Sequence, residues 1–67
     1  MKIRLYGIKY ETDGQKVDLP KEIFATPEDF DYQDGDDIED LVSLQGADYI
    51  SDKTGWLVKS FNFDITK

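Results

Sequence analysis

Both ends of this chain alternate between apolar and polar residues, which is the two-residue period of β-strands. The first such stretch is KIRLYGIKYE, Lys2 to Glu11, and the last is WLVKSFNFDI, Trp56 to Ile65. Between them, DDIEDLVSLQGADYISDK places apolar residues at helical spacing. A chain of 67 residues has room for one domain, residues 1–67, so the strands and the helix must share one core.

The apolar residues of the first strand change parity at Gly7. Ile3 and Leu5 would point to one face of the strand, whereas Tyr6, Ile8 and Tyr10 would point to the other. Either the strand is apolar on both faces, or a β-bulge at Gly7 resets its register.

The residues after the first strand predict a turn and a second strand. The Asp13–Gly14 pair favours a turn with positive φ. Pro20 cannot donate to a sheet ladder, so it marks an edge or the start of a strand. The second strand is then KEIFAT, Lys21 to Thr26, and Pro27 ends it.

The predicted helix begins within a run of carboxylates. The helix is predicted to open at Asp36 or Asp37, with Asp36 as its N-cap and Glu39 reaching back to complete a capping box. The apolar stripe comprises Ile38, Leu41, Val42 and Tyr49, with Gln45 on the same stripe.

Gly46 leaves two interpretations of this helix open. In the favoured one, a single helix runs to about Lys53 and Gly55 is its C′ residue. In the other, the helix ends at Gly46, and the following residues form a hairpin that turns at Asp52 to Gly55.

Together these elements predict an α+β domain in the order β-β-α-β. The first strand would pair with both others in a three-stranded, mainly antiparallel sheet, with one helix packed on one face. The face that Ile3 and Leu5 do not occupy would stay open, with apolar surface from Tyr6, Tyr10, Trp56 and Val58. Because open apolar patches often mark contact sites, Tyr6, Tyr10 and Trp56 are candidates for a dimer or partner face.

Composition argues against catalysis and against several kinds of partner. The chain lacks cysteine and histidine, which excludes thiolate metal sites and removes the usual general base. We therefore expect no enzyme activity and no cofactor. The net charge of −7 opposes direct binding to nucleic acid or to anionic lipid.

The sequence shows no sign of a membrane span or of secretion. No apolar run approaches the roughly 18 residues that a span requires, and the N-terminus alternates where a signal peptide would be continuously apolar. We expect a cytoplasmic protein and, because the chain starts at Met1 without a tag, a complete small gene product.

The acidity is concentrated between Glu28 and Asp40. This acidic segment, residues 28–40, has eight carboxylates and no Lys or Arg, whereas the rest of the chain carries +1. Its members are Glu28, Asp29, Asp31, Asp34, Asp36, Asp37, Glu39 and Asp40. Carboxylates in the first helical turn favour the helix dipole. The residues before the helix have no such explanation, although Phe30 or Tyr32 is expected to pack against the domain.

Metal binding is a weak interpretation of the acidic segment. An EF-hand loop requires oxygen ligands at positions 1, 3, 5 and 12 around a glycine at position 6. Counting from Gly35 places Phe30 first and Leu41 twelfth, so the motif fails. A loose divalent-cation site at Asp34, Asp36 and Asp37 remains a minor alternative, and we predict no metal.

The leading interpretation is a surface that binds a basic protein. The predicted contacts are the carboxylates of Glu28, Asp29, Asp31, Asp34, Asp36, Asp37 and Asp40. On a single helix, Asp36, Asp40, Asp48 and Asp52 would extend this surface, interrupted by Leu44. Alternatively, the protein is a homodimer formed through the open sheet face, and the acidic segment is a solvated surface.

Two stretches resemble a known group of proteins. YETDGQKVDLP, Tyr10 to Pro20, and ADYISDKTGWLVKSFNFD, Ala47 to Asp64, cover about 40% of the chain. They resemble small, acidic, uncharacterised proteins of bacteria, often Gram-positive, and of their phages and mobile elements. The resemblance implies one helix ending at Gly55, and no activity; SLQG, Ser43 to Gly46, departs from the pattern. An origin in phages would favour an inhibitor of host machinery.

Overall fold

A computed structural model describes residues Met1–Thr66. Its elements are β1 (Lys2–Tyr10), β2 (Glu22–Ala25), a 3-10 helix (Pro27–Phe30), α1 (Ile38–Thr54) and β3 (Val58–Thr66). The predicted α+β class and the order strand-strand-helix-strand are confirmed. The 3-10 helix was not predicted and lies where we expected a loop.

The sheet has the order β2-β1-β3, with both pairs antiparallel. Ile3 lies opposite Ala25 on one side and Ile65 on the other. Ile3 and Ala25 are buried, and Ile65 packs against the core that α1 covers. The central strand therefore supplies the middle of the core, and both outer strands contribute its flanks.

Gly7 forms the bulge that its position in β1 suggested. It has a φ of 57°, and a β-carbon there would lie 2.9 Å from Nδ2 of Asn62. Between Tyr6 and Lys9 the register shifts, and β1 has one residue more than β3. The extra residue returns Ile8 to the buried face, so the bulge interpretation is confirmed.

A second register shift, between Lys9 and Tyr10, gives β3 one extra residue. As a result, Tyr10 and its partner Val58 both pack against the core, while Leu57 is 66% exposed. We had predicted that Tyr10 and Val58 lie on the face of the sheet that Ile3 does not occupy, and this prediction was wrong. The two bulges change the parity of both strands, and only the first is marked by a glycine.

The favoured interpretation of the helix is confirmed. α1 continues through Gly46 to Thr54. Gly55 adopts a left-handed φ of 78°, and its N–H donates to the carbonyl of Ser51 at 2.7 Å. Within Met1–Thr66, no helix combines the length and the apolar character that crossing a membrane requires.

Every fourth residue along α1 is buried: Ile38, Val42, Gly46 and Ile50. The predicted stripe differs from this row, because it also included Leu41 and Tyr49. These two residues lie half-buried beside the buried row. Gly46 belongs to the buried row because a β-carbon there would overlap the ring of Phe61 on β3. Its lack of a side chain thus lets the helix accept this ring.

The face of the sheet turned away from α1, which we call the outer face, carries paired charges. Arg4 forms ion pairs with Glu22 and with Asp64, the latter at 3.6 Å. Its guanidinium also lies 4.3 Å from the centroid of the Tyr6 ring. The charges of this face therefore balance locally, in contrast to the acidic segment.

Candidate acidic interaction surface

The acidic segment is attached to the domain by its aromatic residues. Phe30, at the end of the 3-10 helix, is 1% exposed, and its ring centroid lies 5.1 Å from that of Tyr49 on α1. Tyr32 is half-buried against the same core. Both residues meet the expectation that they pack against the domain, so the carboxylates around them lie on a fixed backbone.

Asp29 has a structural role that we did not predict, although the spacing of Thr26 and Asp29 is that of a capping box. Its Oδ2 accepts hydrogen bonds from the backbone N–H of Thr26 at 2.8 Å and from the Thr26 hydroxyl at 3.2 Å. The hydroxyl of Tyr49 donates to the same oxygen at 3.4 Å. These bonds, chiefly the backbone one, lower the pKa of Asp29, and the charge of Lys53 adds a smaller effect. Asp29 thereby joins the start of the 3-10 helix, just after β2, to α1.

The residues between the 3-10 helix and α1 form two tight turns. Asp31 has a left-handed φ of 55°, a conformation that Asp and Asn tolerate better than most residues. The N–H of Asp36 donates to the carbonyl of Gln33 at 3.0 Å. In return, the Asp36 carboxylate accepts from the N–H of Gln33 at 3.0 Å. Asp36 thus closes the second turn.

The N-cap of α1 is Asp37, so the prediction of Asp36 at this position was wrong. An oxygen of Asp37 accepts from the N–H of Glu39 at 3.1 Å, and the helix begins at Ile38. The reason is that Asp36 is already bonded within the preceding turn. Glu39 and Asp40 lie in the first helical turn, where the helix dipole favours negative charge.

All eight carboxylates of the acidic segment belong to exposed residues. Within Met1–Thr66, the ion pairs are those of Arg4, and none involves this segment. Lys21 and Lys53 are the nearest cations along the chain. The ammonium of Lys53 lies 5.1 Å from the centroid of the Tyr49 ring. The segment is therefore a concentration of negative charge without internal neutralisation.

A helical row continues this charge along α1. Asp40, Leu44, Asp48 and Asp52 follow one another at intervals of four residues, and all four are exposed. Asp36, which we expected to begin the row, lies before the helix. Leu44 is 78% exposed between two aspartates. In the sequence analysis Leu44 was only an interruption of the row of aspartates. Its position within an acidic row was nevertheless a visible signal that it would be exposed.

The three aromatic residues predicted for a dimer or partner face do not share one face. Tyr6 lies on the outer face beneath Arg4. Tyr10 packs toward the core on the opposite side of the sheet. Trp56 is in the short link of the chain that connects α1 to β3, and its side chain is half-buried.

The carboxylates are dispersed along the segment and do not converge on a point. Among the described residues, no group of three or more acidic side chains is placed so that it could hold a metal ion. Asp34, Asp36 and Asp37 therefore do not form a cation cage. What the arrangement offers chemically is an extended anionic surface.

Comparisons of the chain with protein-family models, with curated proteins and with solved structures find no match.

Proposed function

We propose that this protein is a non-enzymatic, cytoplasmic interaction module whose acidic segment binds a basic protein surface. The observation that carries the proposal is the set of eight exposed carboxylates without an ion-pair partner among Met1–Thr66. Complementary charge steers association and favours one class of partner over others.

Folding accounts for only part of this charge. Asp29, Asp36 and Asp37 accept hydrogen bonds that hold turns or cap a helix. Among the described residues, the side-chain hydrogen bonds to this segment go to those three aspartates, and the carboxylates of Glu28 and Asp34 accept none. A concentration of like charge opposes folding through mutual repulsion, so a role in binding explains why these carboxylates are concentrated in one segment.

The row on α1 supports a partner that combines basic and apolar contacts. Leu44 projects between Asp40 and Asp48, and exposure of a large apolar side chain costs hydration without benefit to the core. A partner with basic residues around an apolar depression would match this row. A nuclease or another enzyme with a basic nucleic-acid groove fits the description, and inhibition of such an enzyme would agree with the resemblance to proteins of phages and mobile elements.

The test compares two triple variants with equal charge. Glu28→Gln, Asp31→Asn and Asp34→Asn together change the net charge from −7 to −4 and leave the bonded aspartates intact. Glu11→Gln, Asp13→Asn and Asp18→Asn make the same change outside the segment. Each immobilised variant is used beside the wild type to capture proteins from a lysate of the source cell, with identification by mass spectrometry.

We expect the wild type and the triple variant that contains Glu11→Gln to capture a basic protein. The triple variant that contains Glu28→Gln should not capture that basic protein. Its affinity should fall steeply as salt increases, because exposed charges are screened beyond about 10 Å at 0.1 M ionic strength. Leu44→Gln should weaken the same interaction without unfolding the protein. Equal capture by both triple variants would overturn the proposal.

A homodimer formed through the outer face is the alternative, and one observation favours it. Phe24 on this face is 53% exposed, with the ammonium of Lys2 lying 5.2 Å from its ring centroid. In that case Phe24→Ser or Tyr6→Ser should convert a dimer to a monomer in light scattering, and added salt should have little effect. A monomeric wild type would exclude this alternative.

A further inference from the structure

A cleft opens where β1 and β2 separate. The two strands pair only from Ile3–Ala25 to Tyr6–Glu22. Beyond that point the bulge at Gly7 redirects β1, and Pro20 has no N–H with which to continue the ladder. The chain from Thr12 to Lys21 therefore runs beside the end of β1 without joining the sheet.

The cleft is open to solvent, has a volume of about 540 Å³, and is lined by both apolar and polar side chains. Ile8 and Tyr10 from β1 form one wall, and Val17 and Leu19 from the loop form the other. Ile8 is a core residue, so the cleft opens directly onto the hydrophobic interior. Small-molecule sites typically have volumes of roughly 300–1,000 Å³ and combine apolar walls with polar groups that orient the ligand.

A side chain holds the loop beside the strand. The hydroxyl of Tyr10 donates to the carbonyl of Pro20 at 2.6 Å. Burial in this position raises the pKa of the Tyr10 phenol, so the donor stays protonated at neutral pH. The two walls are thus connected at one end before any ligand arrives.

The charge of the cleft is opposite to that of the whole protein. Lys16 and Lys21 line it, with Asp18 as the only acidic residue in its lining. The protein as a whole carries −7. These two lysines therefore provide a local cationic site next to apolar walls, on a surface that otherwise repels anions.

We propose that this cleft binds a small anionic amphiphile, a free monocarboxylate with an apolar tail. The tail lies between Ile8 and Leu19, and the carboxylate is bound by the ammonium groups of Lys16 and Lys21. The inference is independent of the acidic segment, whose carboxylates do not line the cleft.

The test titrates the isotope-labelled full chain with sodium decanoate below its micelle concentration and follows the backbone amides by NMR. A second titration uses decyltrimethylammonium, which has a positive head and a tail longer by a single methylene. We expect saturable decanoate shifts in the lining residues, including Ile8, Tyr10 and Val17. The cation should not reproduce them, although overall charge favours it.

Matched variants separate the cleft from general charge effects. Lys16→Gln with Lys21→Gln should weaken decanoate binding about three- to tenfold, the effect of losing two exposed ion pairs. Lys9→Gln with Lys59→Gln makes the same charge change outside the cleft and should leave the affinity unchanged. Leu19→Ser should weaken binding by removing part of the apolar wall. Absence of shifts in the cleft, equal affinity of both lysine variants, or stronger binding of the cation would each overturn the proposal.

Discussion

Gly46 shows how one residue can depend on a contact far along the chain. Glycine inside a helix costs roughly 1 kcal/mol relative to alanine, so local propensity argues against it. The ring of Phe61 occupies the space that a β-carbon would require. Packing therefore outweighs propensity at this position.

We predict that Gly46→Ala destabilises the protein by up to about 2 kcal/mol, because overpacking a core costs about 1–3 kcal/mol and the gain in helix propensity offsets about 1 kcal/mol of it. Urea unfolding would measure the change. Phe61→Leu should relieve the overlap, so the double variant should lose less stability than the two single changes together. A Gly46→Ala protein more stable than the wild type would show that the ring can move aside.

Asp29 should make stability depend on pH. Its pKa is lowered in the fold, so its hydrogen bonds stabilise the protein above the pKa of the unfolded chain and lose this effect as pH falls through the folded value. Asp29→Asn should therefore reduce stability most at neutral pH, and the difference from the wild type should shrink below about pH 4. Thermal unfolding across this range would measure it.

Glu28→Gln is the matched control, since it removes a neighbouring charge that accepts no hydrogen bond within Met1–Thr66. At neutral pH, the Glu28→Gln variant should therefore not show the loss of stability expected for Asp29→Asn. Because asparagine retains an acceptor oxygen, equal pH profiles of the two variants would show that the negative charge of Asp29 adds nothing measurable to its hydrogen bonds.

At the scale of elements, the stability of α1 depends on the hydrogen bonds that the acidic segment makes at the start of the helix. Asp37 caps the helix, while Asp36 is bonded to Gln33. We predict that Asp37→Ala costs about 1 kcal/mol of stability, the usual effect of losing an N-cap. Asp37→Asn retains an acceptor oxygen and should cost much less. Urea unfolding of both variants would check this, and equal losses would indicate that the charge of Asp37 matters more than its hydrogen bond.

The elements were predictable to the extent that their signals were local. Alternation identified β1 and β3, and Gly55 identified the end of α1. The second bulge was not predictable, because no glycine marks it and it depends on how Tyr10 and Val58 meet across two strands. The choice between Asp36 and Asp37 as N-cap also failed, since both fit the pattern and only the turn at Gln33 decides between them.

The candidate site was predictable in composition and only partly in geometry. The concentration of carboxylates is visible in the sequence, and so is their lack of cationic neighbours. The bond from Tyr49 to Asp29 was not visible, because Tyr49 lies on α1, whereas the spacing of Thr26 and Asp29 was a local signal of a capping box. The cleft beside Val17 and Leu19 was also missed, since it exists only because the pairing of β1 and β2 stops at Tyr6.

At the scale of the whole molecule, charge is distributed unevenly, and this should reduce stability. The outer face pairs charges through Arg4, whereas no ion pair within Met1–Thr66 involves the acidic segment. We predict that salt stabilises the wild type, and that the Glu28, Asp31 and Asp34 triple variant is about 1 kcal/mol more stable at low salt. The difference should shrink at high salt. The Glu11, Asp13 and Asp18 triple variant should gain less, and an equal gain would show that net charge matters and its position does not.

The most direct test of the account is to map the captured partner onto the protein. Amide spectra of the isotope-labelled chain would be recorded with and without that partner. The account predicts that signals from residues 28–40 and from the row around Leu44 shift or broaden, and that those of the outer face around Arg4 and Phe24 do not. Changes centred on the outer face, with the acidic segment unaffected, would contradict it.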